Sequence, residues 1–269
     1  MQFLSIYNNL FSLLISILFA LILVFSPLQI DAANTSIKNM YEQALLSSNN
    51  GDFLEALKLW DEFLRIYPED PLALSNRGNI RLILGDPKGA IADQTKAINL
   101  LPNEPDPYLN RGIAEEALEL WNEAEEDYEK SLSYDPNYSS ALYNLANLNA
   151  HKGNWIKAEN LFHQAGTQGK GFAMAFSSEA LVKYQLDDLE AAEAQLRKVI
   201  RKYPFFADAR AGLCALLWRK GYVGEAESNW AAVSGLDMRY KEKDWLLNVR
   251  KWPQIPTEDL LSFLDLHRP

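Results

Sequence analysis

The chain has few of the residues from which catalytic and metal sites are built. Its 269 residues include one cysteine and three histidines. The single cysteine, Cys214, excludes an intramolecular disulfide, and its apolar surroundings at residues 212–217 favour a small buried thiol over a nucleophile. His151, His163 and His267 form no two-ligand helical pair. The composition therefore predicts no enzyme activity, no catalytic residue, no metal site and no cofactor.

Positive charge is also scarce. The chain has 26 lysines and arginines against 36 aspartates and glutamates, a net charge of −10 and a pI near 4.9. Binding of nucleic acid requires a basic patch that neutralises phosphates, so we expect no nucleic-acid partner. With 48% apolar residues, the chain is too hydrophobic to remain disordered.

The N-terminus lacks charge of either sign. No ionisable side chain other than tyrosine occurs from Met1 to Ile30, and Leu10–Phe25 is almost wholly apolar. This length is near that of a membrane-spanning helix and exceeds most signal-peptide cores, while Ala32 and Ala33 suit a signal-peptidase site. Residues 1–33 are therefore expected to be either a cleaved export signal or a retained membrane anchor. Both alternatives predict an exported or membrane-associated protein.

A period of 34 residues runs through the rest of the chain. Small residues recur at this spacing at Ala56, Ala90, Ala124, Ala158, Ala192 and Ala226. Proline follows the alanine by twelve residues at Pro68, Pro102, Pro136 and Pro204, and glycine precedes it by five at Gly51, Gly85, Gly153 and Gly221. Because proline ends a helix and glycine permits the chain to reverse, each unit is predicted to be helix, turn, helix.

This pattern resembles the tetratricopeptide repeat family. The resemblance covers residues 37–240 as six repeats, at 37–70, 71–104, 105–138, 139–172, 173–206 and 207–240. It implies an all-α solenoid, a right-handed superhelix of antiparallel helix hairpins. Residues 241–269 break the period and are expected to form a C-terminal helical cap over the open end of repeat six, with Pro256 in a turn and Thr257 as the N-cap of a helix to Leu266.

Two arginines are each followed by an acid at a fixed distance. Arg77 and Arg111 lie in Asn-Arg-Gly, and Asp93 and Asp127 come 16 residues after them. Repeat four has leucine at both positions, so either an ion pair or an apolar pair is predicted to bridge each hairpin. A ligand-binding role for the arginines is the alternative.

The resemblance implies that partners bind on the concave side, which the first helix of every repeat lines. The candidate groove residues are asparagines and aromatics, namely Asn76, Asn79, Asn110, Tyr143, Asn144, Asn147, Tyr184 and Trp218. Amides offer a donor and an acceptor to a peptide backbone, and aromatic rings add contact area. The alternative is that the family favours asparagine here whether or not anything binds.

Chaperone co-factors of this family hold a C-terminal carboxylate with basic side chains. In this sequence the corresponding positions are Asp106 and Asn110 in repeat three, and Tyr41 and Leu45 in repeat one. The absence of these basic residues argues against a cytosolic chaperone-docking role.

The Asn-Arg-Gly and Gly-Asp features and the array length resemble cyanobacterial and plastid members of the family, some of which are membrane-anchored and assist photosystem assembly. The resemblance implies a non-catalytic scaffold or adaptor for a peptide or partner helix, at a thylakoid membrane or in its lumen. A periplasmic or envelope scaffold for secretion or cell-wall complexes, and a regulatory subunit, are the alternatives. The expected partners are proteins, together with the membrane if the N-terminal segment is retained.

Overall fold

The computed structural model describes residues 27–168 and 173–266, which are helices joined by short turns and contain no β-strand. Their contacts divide the chain into two compact units, Met1–Leu100 and Leu101–Pro269. The helices of the first unit are α1 (Pro27–Asn50), α2 (Phe53–Ile66), α3 (Pro71–Ile83) and α4 (Pro87–Leu100). Those of the second are α5 (Pro105–Glu116), α6 (Trp121–Tyr134), α7 (Ser139–His151), α8 (Trp155–Gln168), α9 (Ala173–Gln185), α10 (Leu189–Lys202), α11 (Ala207–Arg219), α12 (Val223–Leu236) and α13 (Gln254–Leu266).

The predicted export signal or anchor, residues 1–33, lies outside the described residues up to position 26, and from Pro27 its end is part of α1. Among the described helices, none is both long enough and apolar enough to cross a bilayer.

Prolines mark both ends of the helices. The predicted prolines lie in the turns that follow α2, α4, α6 and α10, at Pro68, Pro102, Pro136 and Pro204. Pro71, Pro87 and Pro105 stand at the first position of α3, α4 and α5, where a missing N–H costs no helical hydrogen bond. Asp70 caps α3, because its carboxylate accepts a hydrogen bond from the Ala73 amide at 2.8 Å. The six hairpins thus follow from local signals repeated along the sequence.

Small residues at the fixed repeat positions allow large ones to pack. In the first unit, Ala56 and Trp60 are both fully buried, and the ring of Tyr41 meets Trp60 edge-on at 4.9 Å. In the second unit, a Cβ atom added to Gly112 would lie 2.7 Å from the Tyr128 ring. This close approach explains why glycine occupies that position.

The C-terminal region differs from the prediction. A 3-10 turn (Met238–Lys241) and a single π-helical turn (Trp245–Val249) precede α13, which begins at Gln254 and includes Pro256 and Thr257. Pro256 is tolerated because it falls in the first turn, where its missing N–H is not needed. Thr257 is therefore not an N-cap, and its buried hydroxyl donates to the Pro253 carbonyl at 2.9 Å.

Four of the six hairpin turns have glycine in the left-handed region, with φ between 78° and 83°. The corresponding positions in repeats three and five carry Glu119 and Asp187, with φ of 59° and 67°. A residue with a Cβ atom is strained there.

We expect Glu119→Gly to raise the free energy of unfolding by up to about 1 kcal/mol, because glycine relieves this strain. Equilibrium urea denaturation of the full chain measures the change. The matched exchange Glu123→Gly, inside α6, is expected to lower the free energy of unfolding by about 1 kcal/mol. A lower stability for Glu119→Gly would contradict the assignment of strain.

Candidate partner-binding surface

The first helices of the repeats in residues 101–269 carry the C-terminal segment, defined here as residues 238–266. Helix α13 packs against α11 and α9, so it covers first helices rather than only the end of repeat six. Trp218 of α11 meets Phe263 of α13 with ring centroids 5.8 Å apart. The Tyr184 hydroxyl donates to Asp259 at 2.7 Å. The surface formed by α5, α7, α9 and α11, called the first-helix face below, therefore already holds a polypeptide.

Asp208, in the first turn of α11, fastens the C-terminal segment to this face and is buried to 1% exposure. Its Oδ1 accepts hydrogen bonds from Arg250 Nε at 2.8 Å, Arg250 Nη2 at 2.6 Å and Trp252 Nε1 at 3.0 Å. The Tyr240 hydroxyl donates to the same oxygen at 2.9 Å, and Ser177 donates to Oδ2 at 2.7 Å. A buried carboxylate is stable only when it is paired and hydrogen-bonded, and these four residues meet that requirement.

The charges of this pair are mutually stabilised. Burial alone would raise the pKa of Asp208, but the Arg250 guanidinium and the hydrogen bonds from Ser177 and Trp252 outweigh it and hold the pKa below its ordinary value. Burial likewise opposes the charge of Arg250, but the Asp208 carboxylate raises the pKa of that guanidinium. The ion pair consequently persists throughout the neutral pH range.

We expect Asp208→Asn to lower the free energy of unfolding by about 3–5 kcal/mol, because it leaves the buried Arg250 charge without a counterion. Urea denaturation of the full chain measures the loss. Asp106 occupies the same repeat position, is exposed and accepts one hydrogen bond, from Tyr138 at 2.5 Å. Asp106→Asn is therefore the matched control and should cost no more than about 1 kcal/mol. Equal losses for the two variants would contradict the role assigned to Asp208.

Lys251, the residue that follows Arg250, contacts another repeat. Lys251 Nζ contacts the Glu116 carboxylate at the end of α5, and Arg250 Nη1 donates to the Tyr143 hydroxyl of α7 at 3.4 Å. Lys251 has φ of 54°, a left-handed conformation that is strained for any residue other than glycine. The C-terminal segment thus contacts the first helices of repeats three, four, five and six.

The predicted groove residues of this unit have different surroundings. Tyr184 does not lie on an open surface, since it is fully buried and its hydroxyl also donates to the Ala215 carbonyl at 3.1 Å. Asn144 is half-buried and donates to the Ser140 carbonyl of its own helix at 3.0 Å. Asn110 is also half-buried. Of the eight predicted groove residues, Tyr143, Tyr184 and Trp218 touch the C-terminal segment.

The two predicted groove residues of the first unit, Asn76 and Asn79, lie half-buried on α3. Asn79 Oδ1 accepts a hydrogen bond from Gln94 Nε2 at 3.0 Å, and the same nitrogen donates to the Ser75 carbonyl. Asn79 is therefore used inside the hairpin. Asn76 faces the Tyr41 hydroxyl. Burial first, and the charge of Asp70 second, raise the pKa of that hydroxyl, while Asn76 opposes the increase.

The arginines and acids at 16-residue spacing are brought together in both units. Arg77 donates to Asp93 through Nε at 2.8 Å and Nη2 at 2.7 Å, and to Asp61 of the preceding hairpin at 2.8 Å. Arg111 donates to Asp127 through Nε at 2.6 Å and Nη2 at 2.8 Å. Such two-point contacts fix the geometry across the hairpin, so both arginines are engaged within the fold.

Glu115 is buried beside the Arg111–Asp127 pair. Its Oε2 accepts no hydrogen bond from any residue that the structure describes, and Arg111 Nε lies 3.8 Å from its Oε1. Burial first, and the charge of Asp127 second, raise the pKa of Glu115 to about 7, while Arg111 opposes the increase. Glu123 contributes a further small increase.

The folded protein should hold a proton on Glu115 up to about pH 7, whereas the unfolded chain loses it at about pH 4.3. Stability from this group is therefore lost as the pH rises through that window. We expect Glu115→Gln to leave stability at pH 5 nearly unchanged and to raise it at pH 8 by about 1–3 kcal/mol. Urea denaturation at both pH values tests this, with exposed Glu126→Gln as control. An unchanged pH dependence in Glu115→Gln would contradict the raised pKa.

The single cysteine is engaged in packing. Cys214 is fully buried, and burial raises the pKa of its thiol to about 12, so the thiolate is not available at neutral pH. Within residues 27–168 and 173–266, no three histidine, cysteine or acidic side chains are grouped so as to hold a metal ion.

The residues that attach the C-terminal segment to the first-helix face were not predicted from the sequence. Asp208 and Tyr240 are separated by 32 residues, as are Asp106 and Tyr138, which form the same contact. This recurring pair of acid and tyrosine was a usable signal. The contacts of Arg250 and Lys251 had none, because these residues lie outside the repeats.

Comparisons with known proteins agree with this architecture. Models described as tetratricopeptide repeat match residues 41–105 and 178–234, residues 105–138 and residues 127–160, together more than half of the chain. The chain belongs to the tetratricopeptide repeat family.

Two curated relatives match shorter stretches. The mitochondrial import receptor subunit TOM34 of Homo sapiens is 36% identical over 104 residues, which are 36% of this chain and 34% of the relative. The Hsp70-Hsp90 organizing protein of Triticum aestivum is 32% identical over 88 residues, 33% of this chain and 15% of the relative. The chain thus spans about a third or less of the length of these relatives.

Solved structures share the fold at low sequence identity. A tetratricopeptide repeat protein from Parabacteroides merdae has a TM-score of 0.63 and 19% identity, covering 85% of this chain and 98% of that one. The APC/C hetero-tetramer Cut9-Hcn1 has a TM-score of 0.67 and 17% identity, covering 84% and 42%. MamA has a TM-score of 0.53 and 21% identity, covering 59% and 93%.

Proposed function

We propose that this chain is a non-catalytic adaptor that binds a segment of a partner protein on the first helices of its repeats. One observation carries the proposal: the first-helix face holds residues 238–266 through a buried carboxylate with four donor residues and through aromatic packing. A surface that binds one polypeptide segment with this combination has the chemistry to bind another. On the same face, the half-buried amides of Asn110 and Asn144 offer further polar contacts.

The proposed partner is not a peptide that binds through its C-terminal carboxylate. Asp106 and Asn110 stand where a carboxylate clamp would need basic side chains, and Asp106 is bonded to Tyr138. The net charge of −10 favours association with basic rather than acidic surfaces.

The setting of the adaptor is also a proposal. The uncharged N-terminal residues support export or membrane attachment, and we favour assistance in assembling a membrane complex, a photosynthetic one by family resemblance. A periplasmic or envelope scaffold, or a regulatory subunit, would use the same face with a different partner.

Site-specific photocross-linking in native membranes tests the adaptor function. Asn76 and Asn144 are each replaced by p-benzoylphenylalanine, and second-helix residues Leu54 and Ile156, exposed to 75% and 63%, provide the matched controls in each unit. We expect adducts with a partner protein from the first-helix positions and none from the controls. Mass spectrometry of the adducts identifies the partner and hence the setting.

A second arm uses the variant Tyr143→Ala/Asn144→Ala/Asn147→Ala in an affinity purification from solubilised membranes. Loss of the cross-linked partner from this variant is expected. Adducts at the control positions alone, or a partner retained equally by the variant, would overturn the assignment of the face.

A further inference from the structure

A cleft of about 460 Å³ lies in residues 101–269 between the C-terminal segment and helices α5, α6, α7 and α8. Trp121, Trp155 and Trp252 line it, together with the polar side chains of Glu116 and Asn147. This volume is within the range of sites that hold small molecules or single side chains. The cleft combines aromatic walls with acid and amide groups.

The aromatic walls are fixed by the fold. The Trp121 ring stacks on His151 with centroids 4.3 Å apart and an interplanar angle of 29°. Trp252 is held by its hydrogen bond to Asp208 at 3.0 Å. Indole rings attract cations over their faces and pack against the methylene stems of long basic side chains.

One nearly buried polar side chain of the cleft has unused hydrogen-bonding capacity. Asn147 is only 5% exposed, lines the cleft and makes no hydrogen bond through its amide to any residue the structure describes. The Glu116 carboxylate, in contrast, lies next to the buried Tyr128 hydroxyl and binds Lys251 through Oε2. Because buried polar groups are normally satisfied, the Asn147 amide points to a ligand that can hydrogen-bond to it.

The chain itself supplies one cation to this cleft. Lys251 lines it and places Nζ against Glu116 Oε2. The lysine backbone is in the left-handed region, with φ of 54°, and its side chain remains 36% exposed. An ammonium group therefore fits the cleft. Lys251 places its ammonium group there only by adopting a strained backbone conformation.

We propose that this cleft receives a lysine or arginine side chain from an extended segment of a partner protein, in place of Lys251. Glu116 binds the cationic head, the tryptophan walls contact the aliphatic stem, and Asn147 hydrogen-bonds to a peptide group of the segment. The inference rests on the proposed function, because the occupant is a protein, and it adds the chemistry that the partner must present.

Peptide binding to the full-length protein tests the proposal. The probes are fluorescein-labelled pentapeptides Ala-Ala-Xaa-Ala-Ala with blocked C-termini, in which Xaa is lysine, arginine, norleucine or glutamate. Fluorescence anisotropy gives each Kd. We expect the lysine and arginine peptides to bind at least tenfold more tightly than the norleucine and glutamate peptides. Similar Kd values for all four peptides would overturn the proposal.

Two variants change the affinity in opposite directions. Glu116→Gln keeps the shape of the cleft and removes the charge, so it should weaken binding of the lysine peptide at least tenfold. Lys251→Met keeps the stem and removes the internal competitor, so it should strengthen binding at least threefold. Glu126→Gln, an exposed change of the same type on α6, should have no effect. Unchanged binding by both cleft variants, with circular dichroism matching the unaltered protein, would overturn the site.

The outcomes separate this inference from the proposed function. If photocross-links form at Asn144 while the peptides show no charge preference, only the cleft assignment falls; if neither occurs, both fall. Sedimentation velocity without peptide provides the remaining arm, in which we expect no self-association sensitive to Glu116→Gln. Such self-association would assign the cleft to a second copy of this chain and overturn the partner assignment.

Discussion

The buried carboxylate of Asp208 determines how the C-terminal segment packs on the repeats. Asp208 is placed inside the structure by the first turn of α11, and it is stable there only because Ser177, Tyr240, Arg250 and Trp252 all donate to it. Three of these donors come from the C-terminal segment. The segment is therefore needed to compensate a charge that the last repeat buries, and the packing of α13 on the first helices follows from that constraint.

The helices of the repeats were predictable because their signals are local and recur. The 34-residue spacing, the prolines and the glycines each act within a few residues of where they stand, so their effect can be read without knowledge of the rest of the chain. The distance of 16 residues between Arg77 and Asp93 is also contained within one hairpin, and the two side chains do meet. Periodic sequence thus specifies both the hairpins and the polar pairs inside them.

The C-terminal segment was predictable only as a helical cap. Its contacts join residues 42 apart, for Arg250 with Asp208, and 135 apart, for Lys251 with Glu116, and no repeat relates them. Thr257 was misplaced as an N-cap because Pro256 was interpreted as part of a turn, whereas proline is tolerated in the first helical turn. The groove was inferred from a resemblance that says nothing of residues beyond the repeats, so the burial of Tyr184 beneath α13 could not be foreseen.

The neighbouring positions of Arg250 and Lys251 have a consequence for the length of the array. Two consecutive side chains hold acids in repeat six and in repeat three, Asp208 and Glu116. Because these two side chains are adjacent, both contacts can form together only when a fixed number of hairpins separates the two acids. Insertion or deletion of a whole repeat between the two acids would leave the other hairpins intact but would break one of these two contacts. The solenoid architecture permits any number of repeats, but the contacts of this C-terminal segment require one particular number.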